Sequence, residues 1–281
     1  MLEGRQYAVV QNDEVVFVGT QAACEKFRKG RSSFTVVSVD TGTLVGDKIN
    51  EDAEKDVRAF GGFSKPSKMP GSSIGYPAKK ACPLGKKLCD VPGSVCSQCY
   101  AQGKLYLFPV VRAAQDRRYH KLKSAMRTGA GEDRWINGIS TRIQAMHIPW
   151  FRWHDSGDLQ NMQHLMMIFE VANRTPKMRH WIPTKELVLV RKFLENDGRI
   201  PDNVNIRISA PMIGQRITPE GLTASSVSDP QGKDNGKVVA DPGFQCPATY
   251  EHDRPKKTKG RCMDCRACWE RSVPNVDYEL H

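Results

Sequence analysis

The sequence predicts an α/β protein: a partial or complete parallel (β/α) barrel with a small N-terminal α+β appendage. Three observations predict it. From residue 108 onward, segments with apolar residues at helical spacing alternate with short strand-like runs, the pattern of parallel βαβ units with right-handed crossovers. Polar residues recur where those runs end, as at the carboxyl ends of strands in parallel α/β proteins. Residues 1–45 carry a strand-rich pattern of their own.

In order, YAVV (7–10) and VVFVG (15–19) are short β-rich runs around the polar turn QNDE. TQAACEKFRKG follows, with an N-cap at Thr20, a helical body and a stop at Gly30. FTVVSV (34–39) is a third strand, so residues 1–45 read as a β-β-α-β unit. Cys24 lies on the apolar side of its helix and reads as a buried thiol with no metal role. Residues 46–281 form the main domain, entered through an irregular loop (46–81) rich in Gly, Ser, Lys and Pro. Helices are expected over 108–129, with Pro109 near the start, and over 133–146. A strand with its polar turn covers 147–158, and Asp158 is a plausible N-cap for a helix over 159–175. A strand over 179–185, a helix over 186–197 stopped by Gly198, and strands over 204–211 and 237–243 complete the pattern. Trp135, Trp150, Trp153 and Trp181 read as core residues.

The formal net charge of +11 favours a polyanionic partner such as nucleic acid, against the simpler reading of a solvated basic surface. No apolar run approaches the ~20 residues a membrane helix needs. The N-terminus, MLEGRQYAVV, lacks the regions of a signal peptide. A cytoplasmic protein is expected, and nine cysteines in that compartment argue for metal or redox chemistry over disulfides. Walker loops, dinucleotide fingerprints and His-Glu-x-x-His motifs are all missing from the sequence.

Eight of the cysteines fall into two groups. The first is Cys82, Cys89, Cys96 and Cys99, in a Gly- and Pro-containing loop flanked by Lys79, Lys80, Lys86 and Lys87. The second is Cys246 with Cys262, Cys265 and Cys268, flanked by Lys256, Lys257, Lys259, Arg261 and Arg266. Structural zinc is usually held by two separate Cys-x-x-Cys knuckles, and neither group has two. Three thiols at consecutive spacings of three suit three irons of one cubane. One or two [4Fe–4S] clusters are therefore expected. Structural zinc in a non-enzymatic nucleic-acid-binding protein is the alternative. The catalytic candidates at strand ends are His154, Asp155, Asp158, Lys185 and Arg207, with Thr184 and Asp241 in equivalent places. Ser209 is a candidate cofactor contact.

FSKPSKMPG, the VPGSVCSQCYAQGKLYLFPVVRAAQDRR stretch, RWHDSGD and the late CMDCRACW resemble the phage "gene product eighty-eight" family over residues 60–270. That family is remotely similar to radical S-adenosylmethionine enzymes, whose partial (β/α) barrel carries a cysteine-rich loop and an aromatic residue after its last cysteine. Cys89, Cys96 and Cys99, followed by Tyr100, mimic that arrangement and make Tyr100 a candidate cofactor contact. The first gap is six residues where the usual pattern has three, and Cys82 adds a fourth thiol, so S-adenosylmethionine is allowed but not favoured. The resemblance implies a redox or radical enzyme in a bacterial host cytoplasm.

Overall fold

The structure is a computed structural model, and it describes residues 6–11, 14–19, 35–39, 58–250 and 260–280. The chain divides into two compact units, Met1–Asp52 and Ala53–His281. In the first, β1 (Gln6–Gln11) pairs antiparallel with β2 (Glu14–Gly19) on one side and β3 (Thr35–Val39) on the other. The helix expected over 20–30, with Cys24, lies outside the described residues.

The second unit is built on a seven-stranded sheet. Its strands are β4 (Ser72–Ile74), β5 (Trp150–Trp153), β6 (Arg179–Thr184), β7 (Val204–Ser209), β8 (Thr223–Ser228), β9 (Phe244–Gln245) and β10 (Asn275–Glu279). The order is β4-β5-β6-β7-β8-β10-β9, and every pairing is parallel. Strands laid down in chain order with helical crossovers make a barrel-like arc. No ladder joins β4 to β9 among the described residues, so the arc is open. The helices are α1 (Pro83–Leu88), α2 (Pro109–Ala125), α3 (Gly129–Gln144), α4 (Met162–Arg174) and α5 (Leu187–Glu195).

Strand side chains alternate between faces. Phe151, Trp153, Ile182, Val204, Ile206 and Ile208 point one way, into one core with Leu122 of α2, Trp135 and Ile139 of α3, Ile168 of α4 and Phe193 of α5. Trp135 stacks on Trp153 at 6.1 Å. Each fully buried large side chain here stabilises by about 1.5–3 kcal/mol. Trp150, Arg152, Trp181, Asn205 and Arg207 occupy the alternate positions. A parallel sheet is normally covered on both faces. Here the second cover is the cysteine-rich C-terminal segment: Cys246, Ala267, Cys268 and Trp269 pack with Trp181 and Val276, and Trp150 and Tyr278 close the cluster.

Several boundaries differ from the sequence reading. β4 lies inside the stretch read as loop. Its entry is fixed by Gly71 at φ +77°, where a Cβ would fall 1.9 Å from the Trp150 carbonyl oxygen. The helix expected from residue 159 starts at Met162, because Asn161 caps it by accepting from the His164 N–H at 2.9 Å. Residues 237–243 form no strand, and Asp241 is an exposed partner of Arg216. Strands β8, β9 and β10 were not read from the sequence, and polar side chains of β8 and β10 satisfy one another across the ladder.

Candidate metal centres

The first cysteine group brackets α1. Cys82 is its N-cap residue and Cys89 its C-cap, held by Cys89 N–H donating to Gly85 O at 3.0 Å. Cys96 and Cys99 follow in a turn, with Cys99 N–H on Cys96 O at 3.3 Å. Gly85 lets the group close: a Cβ there would stand 3.0 Å from Cys82 Cβ and 3.4 Å from Cys96 Sγ. Gln102 Nε2 reaches Cys89 Sγ at 3.5 Å and Cys96 O at 3.2 Å. The loop is pinned to the carboxyl ends of the next strands. Leu84 N–H donates to Glu186 Oε1 at 2.7 Å, and Val95 N–H to Pro211 O at 2.9 Å.

The thiols feel one another. Burial pushes Cys82 up to about 12, with Asp158, Cys99 and Cys96 adding to it. Burial pushes Cys96 up to about 11 against the pull of Lys185. Cys99 is raised by burial and by Cys89. Lys185 is lowered by burial, opposed by Cys96, Asp158, Cys99 and Cys82 around it, and its ammonium donates to Ala210 O at 2.8 Å.

The turn after β5 backs this group. Asp158 N–H donates to Ala81 O at 2.8 Å, next to Cys82. Its carboxylate accepts from Leu159 N–H, Thr184 Oγ1 and Lys185 N–H at 2.7, 2.5 and 2.9 Å. Burial outweighs those bonds and lifts its pKa to about 6. Gly75 faces Asp155, where a Cβ would fall 1.8 Å from Oδ1. Tyr100 donates to the Asp155 carbonyl and accepts from Arg152 at 3.1 Å. Tyr100 keeps 42 % of its surface open. His154, at φ +56°, turns away instead, with its ring 5.8 Å from Tyr76 and 5.4 Å from His164. Neither of its ring nitrogens meets a partner in hydrogen-bond geometry, although the Pro183 carbonyl is near enough to oppose slightly the burial and Arg152 charge that lower its pKa to about 3.

The second group is assembled from two segments. Cys246 follows β9 and donates its N–H to Asp277 O at 2.8 Å. Cys262 N–H is held by Lys68 O at 2.7 Å, and Cys265 N–H by Cys262 O at 2.9 Å. Cys268 sits in a 3-10 turn, Ala267–Trp269, with Sγ 3.1 Å from the Tyr278 hydroxyl. Burial pushes Cys262 up to about 11 and Cys268 up to about 12, and Cys246 raises both. Arg207 lies under this loop. It is fully buried and donates to the carbonyls of Ala224, Ala267, Glu270 and Val273 at 2.6, 2.9, 3.3 and 3.1 Å. Those four bonds make it a scaffold for the second group, where the sequence reading had it catalytic. Ser209 accepts from Ser225 at 3.3 Å at the end of β7 and touches no described cysteine by hydrogen bond.

The structure therefore gathers Cys82, Cys89, Cys96, Cys99, Asp158, Lys185 and Tyr100 at the carboxyl ends of the strands. It sets Cys246, Cys262, Cys265 and Cys268 on the other face of the sheet from the helices. Arg152, Gln102, Trp269 and Tyr278 were not read as site residues. The one sequence signal for Trp269 is that it follows Cys268 as Tyr100 follows Cys99. All eight thiols are free. Among the described residues, no three Cys, His, Asp or Glu side chains stand ready around one point for a single ion. Cysteine has one rotatable bond, so its sulfur swings without moving the backbone. Eight unpaired thiols, three buried and five half-buried, in two sets near Lys185 and Arg152 are a donor set that fits a thiophilic metal group once deprotonated. Two surface hollows, one at Met166, Phe193 and Gly198 and one at Val204, Thr223 and Pro274, are lined by none of the cysteines. No helix among the described residues is long and apolar enough to cross a membrane.

No curated relative and no solved structure matches the chain. The sequence model of the Gene product 88 family matches residues 46–271, most of the chain, and the protein belongs to that family.

Proposed function

We propose that the protein is an iron–sulfur protein with a redox function. Cys82, Cys89, Cys96 and Cys99 would hold one cluster, and Cys246, Cys262, Cys265 and Cys268 a second. One observation carries the reading: two separate sets of four free thiols, each drawn together by its loop, with Cys96, Cys246 and Cys268 buried and the other five half-buried. A bound cluster supplies one-electron redox chemistry at ordinary protein pH. The chain's own residues supply the surroundings. Lys185 and Arg152 bring positive charge to the thiolates, and Gln102 offers an N–H to the Cys89 sulfur. Such donors around the sulfurs tune a cluster's potential. Asp158 orients the Lys185 backbone.

Four thiols in each group favour closed ligation, which leaves no iron open to the amino and carboxylate groups of S-adenosylmethionine. Electron transfer is therefore preferred over radical chemistry, and the substrate stays unassigned. The protein purified without oxygen is expected to contain about four or eight irons with matching sulfide per chain, depending on whether one or both groups are loaded. Zinc without sulfide would overturn this and favour structural zinc in a nucleic-acid-binding protein, which the net charge of +11 would suit. Reduction in the presence of S-adenosylmethionine is expected to give no 5′-deoxyadenosine. Its formation would show an open iron and make a radical enzyme the leading reading.

A further inference from the structure

We propose that the two thiol groups are joined by a bridge of four side chains, Tyr100, Arg152, Trp181 and Trp269, which carries single electrons between them. The proposal rests on the iron–sulfur reading and goes beyond it.

Tyr100 is the residue after Cys99. Its hydroxyl is 3.1 Å from Arg152 Nη2. The same guanidinium lies over the Trp181 ring, 4.6 Å from its centroid. The Trp181 ring meets Trp269 edge-on at 5.3 Å. Trp269 is the residue after Cys268. Each end of the chain of contacts is thus one peptide bond from a thiol, and each internal step is a hydrogen bond, a cation–π contact or a ring contact. Electron tunnelling through protein favours such packed paths over gaps filled by solvent.

The bridge is held from several sides. Arg152 and Trp181 are register partners across the β5–β6 ladder, so the sheet itself sets their contact. Trp269 donates its indole N–H to Phe151 O at 2.9 Å. Tyr100 is tied a second time, to the Asp155 carbonyl.

Packing alone does not account for these residue types. A covered sheet face is filled at least cost by aliphatic side chains, whereas a guanidinium brings a desolvation penalty. Arg152 Nε and Trp181 Nε1 are both buried with no hydrogen-bond partner. Clusters bound by four thiolates are net negative, and a guanidinium between two of them offsets the charge of both. Arg152 reaches toward both sides, through its bond to Tyr100 and its place over the Trp181 ring.

The step is a simple electron exchange. With both groups loaded, an electron that a low-potential one-electron donor had placed on one cluster would pass to the other, and the first would return to its starting state. No bond or proton changes place.

The test uses the full chain, reconstituted anaerobically with iron and sulfide and photoreduced with a deazaflavin at less than one electron per chain. Freeze-quenched electron paramagnetic resonance follows the electron from the cluster first reduced to the other, and full reduction reports spin–spin coupling. Trp181→Leu is expected to slow the redistribution by an order of magnitude with iron and sulfide unchanged. Phe193→Leu, in the helix-covered core and in ring contact with Phe169 but with none of the four, is expected to leave it unchanged. Equal rates in wild type and Trp181→Leu, with both clusters loaded, would overturn the bridge and leave the iron–sulfur reading intact. If Trp181→Leu loses a cluster, Tyr100→Phe decides, since it removes only the hydroxyl that meets Arg152; an unchanged rate there overturns the bridge. Wild-type protein that takes up no iron and sulfide fails at the earlier reading, before the bridge is measured.

Discussion

Arg207 and His180 show what single buried polar residues do on opposite faces of the sheet. Arg207 satisfies three carbonyls of the second cysteine loop and one of β8. Leaving buried carbonyls unpaired costs about 1–3 kcal/mol each. Arg207→Leu is therefore expected to lower unfolding free energy by at least ~3 kcal/mol and, on the iron–sulfur reading proposed above, to release metal from the second group before the first. Arg207→Lys should not restore it, because an ammonium cannot reproduce the planar fork. Denaturant titration with metal release followed in parallel checks both, and a near-wild-type Lys variant would refute the scaffold role. His180 accepts from Trp153 Nε1–H at Nδ1, 3.1 Å away, so its Nε2–H donates to Thr175 Oγ1 at 2.9 Å. The ring is neutral and uncharged groups surround it: Trp153, Phe151 and Thr175. Burial lowers its pKa from 6.5 to about 3. The unfolded chain therefore binds a proton that the folded chain refuses. Its stabilising effect is complete above about pH 6.5 and is lost as pH falls toward the folded value, at up to about 1.4 kcal/mol per pH unit. His180→Phe should flatten the pH dependence of urea unfolding between pH 6 and 4 by about one proton; parallel curves would show that the histidine is not held neutral.

At the scale of elements, α1 is a short helix whose sequence serves the thiols more than the helix. Alanine is the better helix former than glycine by about 1 kcal/mol, so local propensity alone predicts that Gly85→Ala stabilises the protein. The position faces Cys82 and Cys96 closely, so the expectation is the reverse: reduced iron retention in the first group with helix content unchanged. Iron retention equal to wild type would show that the cysteine loop adjusts freely. Much of this level could be read from the sequence. The helix–strand alternation placed β5, β6, β7 and α3 to α5 nearly correctly because their apolar faces repeat regularly; α2, which buries Gln115 and Arg118, was marked instead by Pro109 at its start. The two cysteine groups were legible from spacing. β8 and β10 were not, because TASSVS and NVDYE bury hydroxyls and amides in place of an apolar stripe. Ser226 donates to Asp277 at 2.5 Å, Asn275 to Ser226 at 2.8 Å, and Thr223 to Asn205 at 3.0 Å. Such partners are 18 to 51 residues apart and leave no local signal. For the same reason Arg207 looked catalytic: its polarity shows in the sequence, but the carbonyls it serves come from 17 to 66 residues away.

At the scale of the molecule, the arc has no closing strand among the described residues, and its second face is sealed by the segment that carries the second cysteine group. That segment is tied to the start of the sheet by Cys262 N–H on Lys68 O, to its middle by Asn205 and Arg207, and to its end by β10, which lies between β8 and β9. The C-terminal residues are thus structural for the whole sheet, while the Met1–Asp52 unit has its own three-stranded sheet. Two truncations follow from this asymmetry. Removing residues 1–52 is expected to leave a soluble protein that unfolds cooperatively and binds the same iron and sulfide as the full chain. Removing residues 260–281 deletes β10, exposes Trp150 and Trp181, and leaves the Arg207 guanidinium without its three loop carbonyls. That chain is expected to lose both the second metal and cooperative unfolding, because a parallel sheet with one face bare cannot bury its apolar strands. Circular dichroism melts and metal analysis on the two truncated chains read the outcome. A cooperative melt from the C-terminal deletion would mean that the cysteine segment is an attachment to a finished sheet, and the account of the second face would fall.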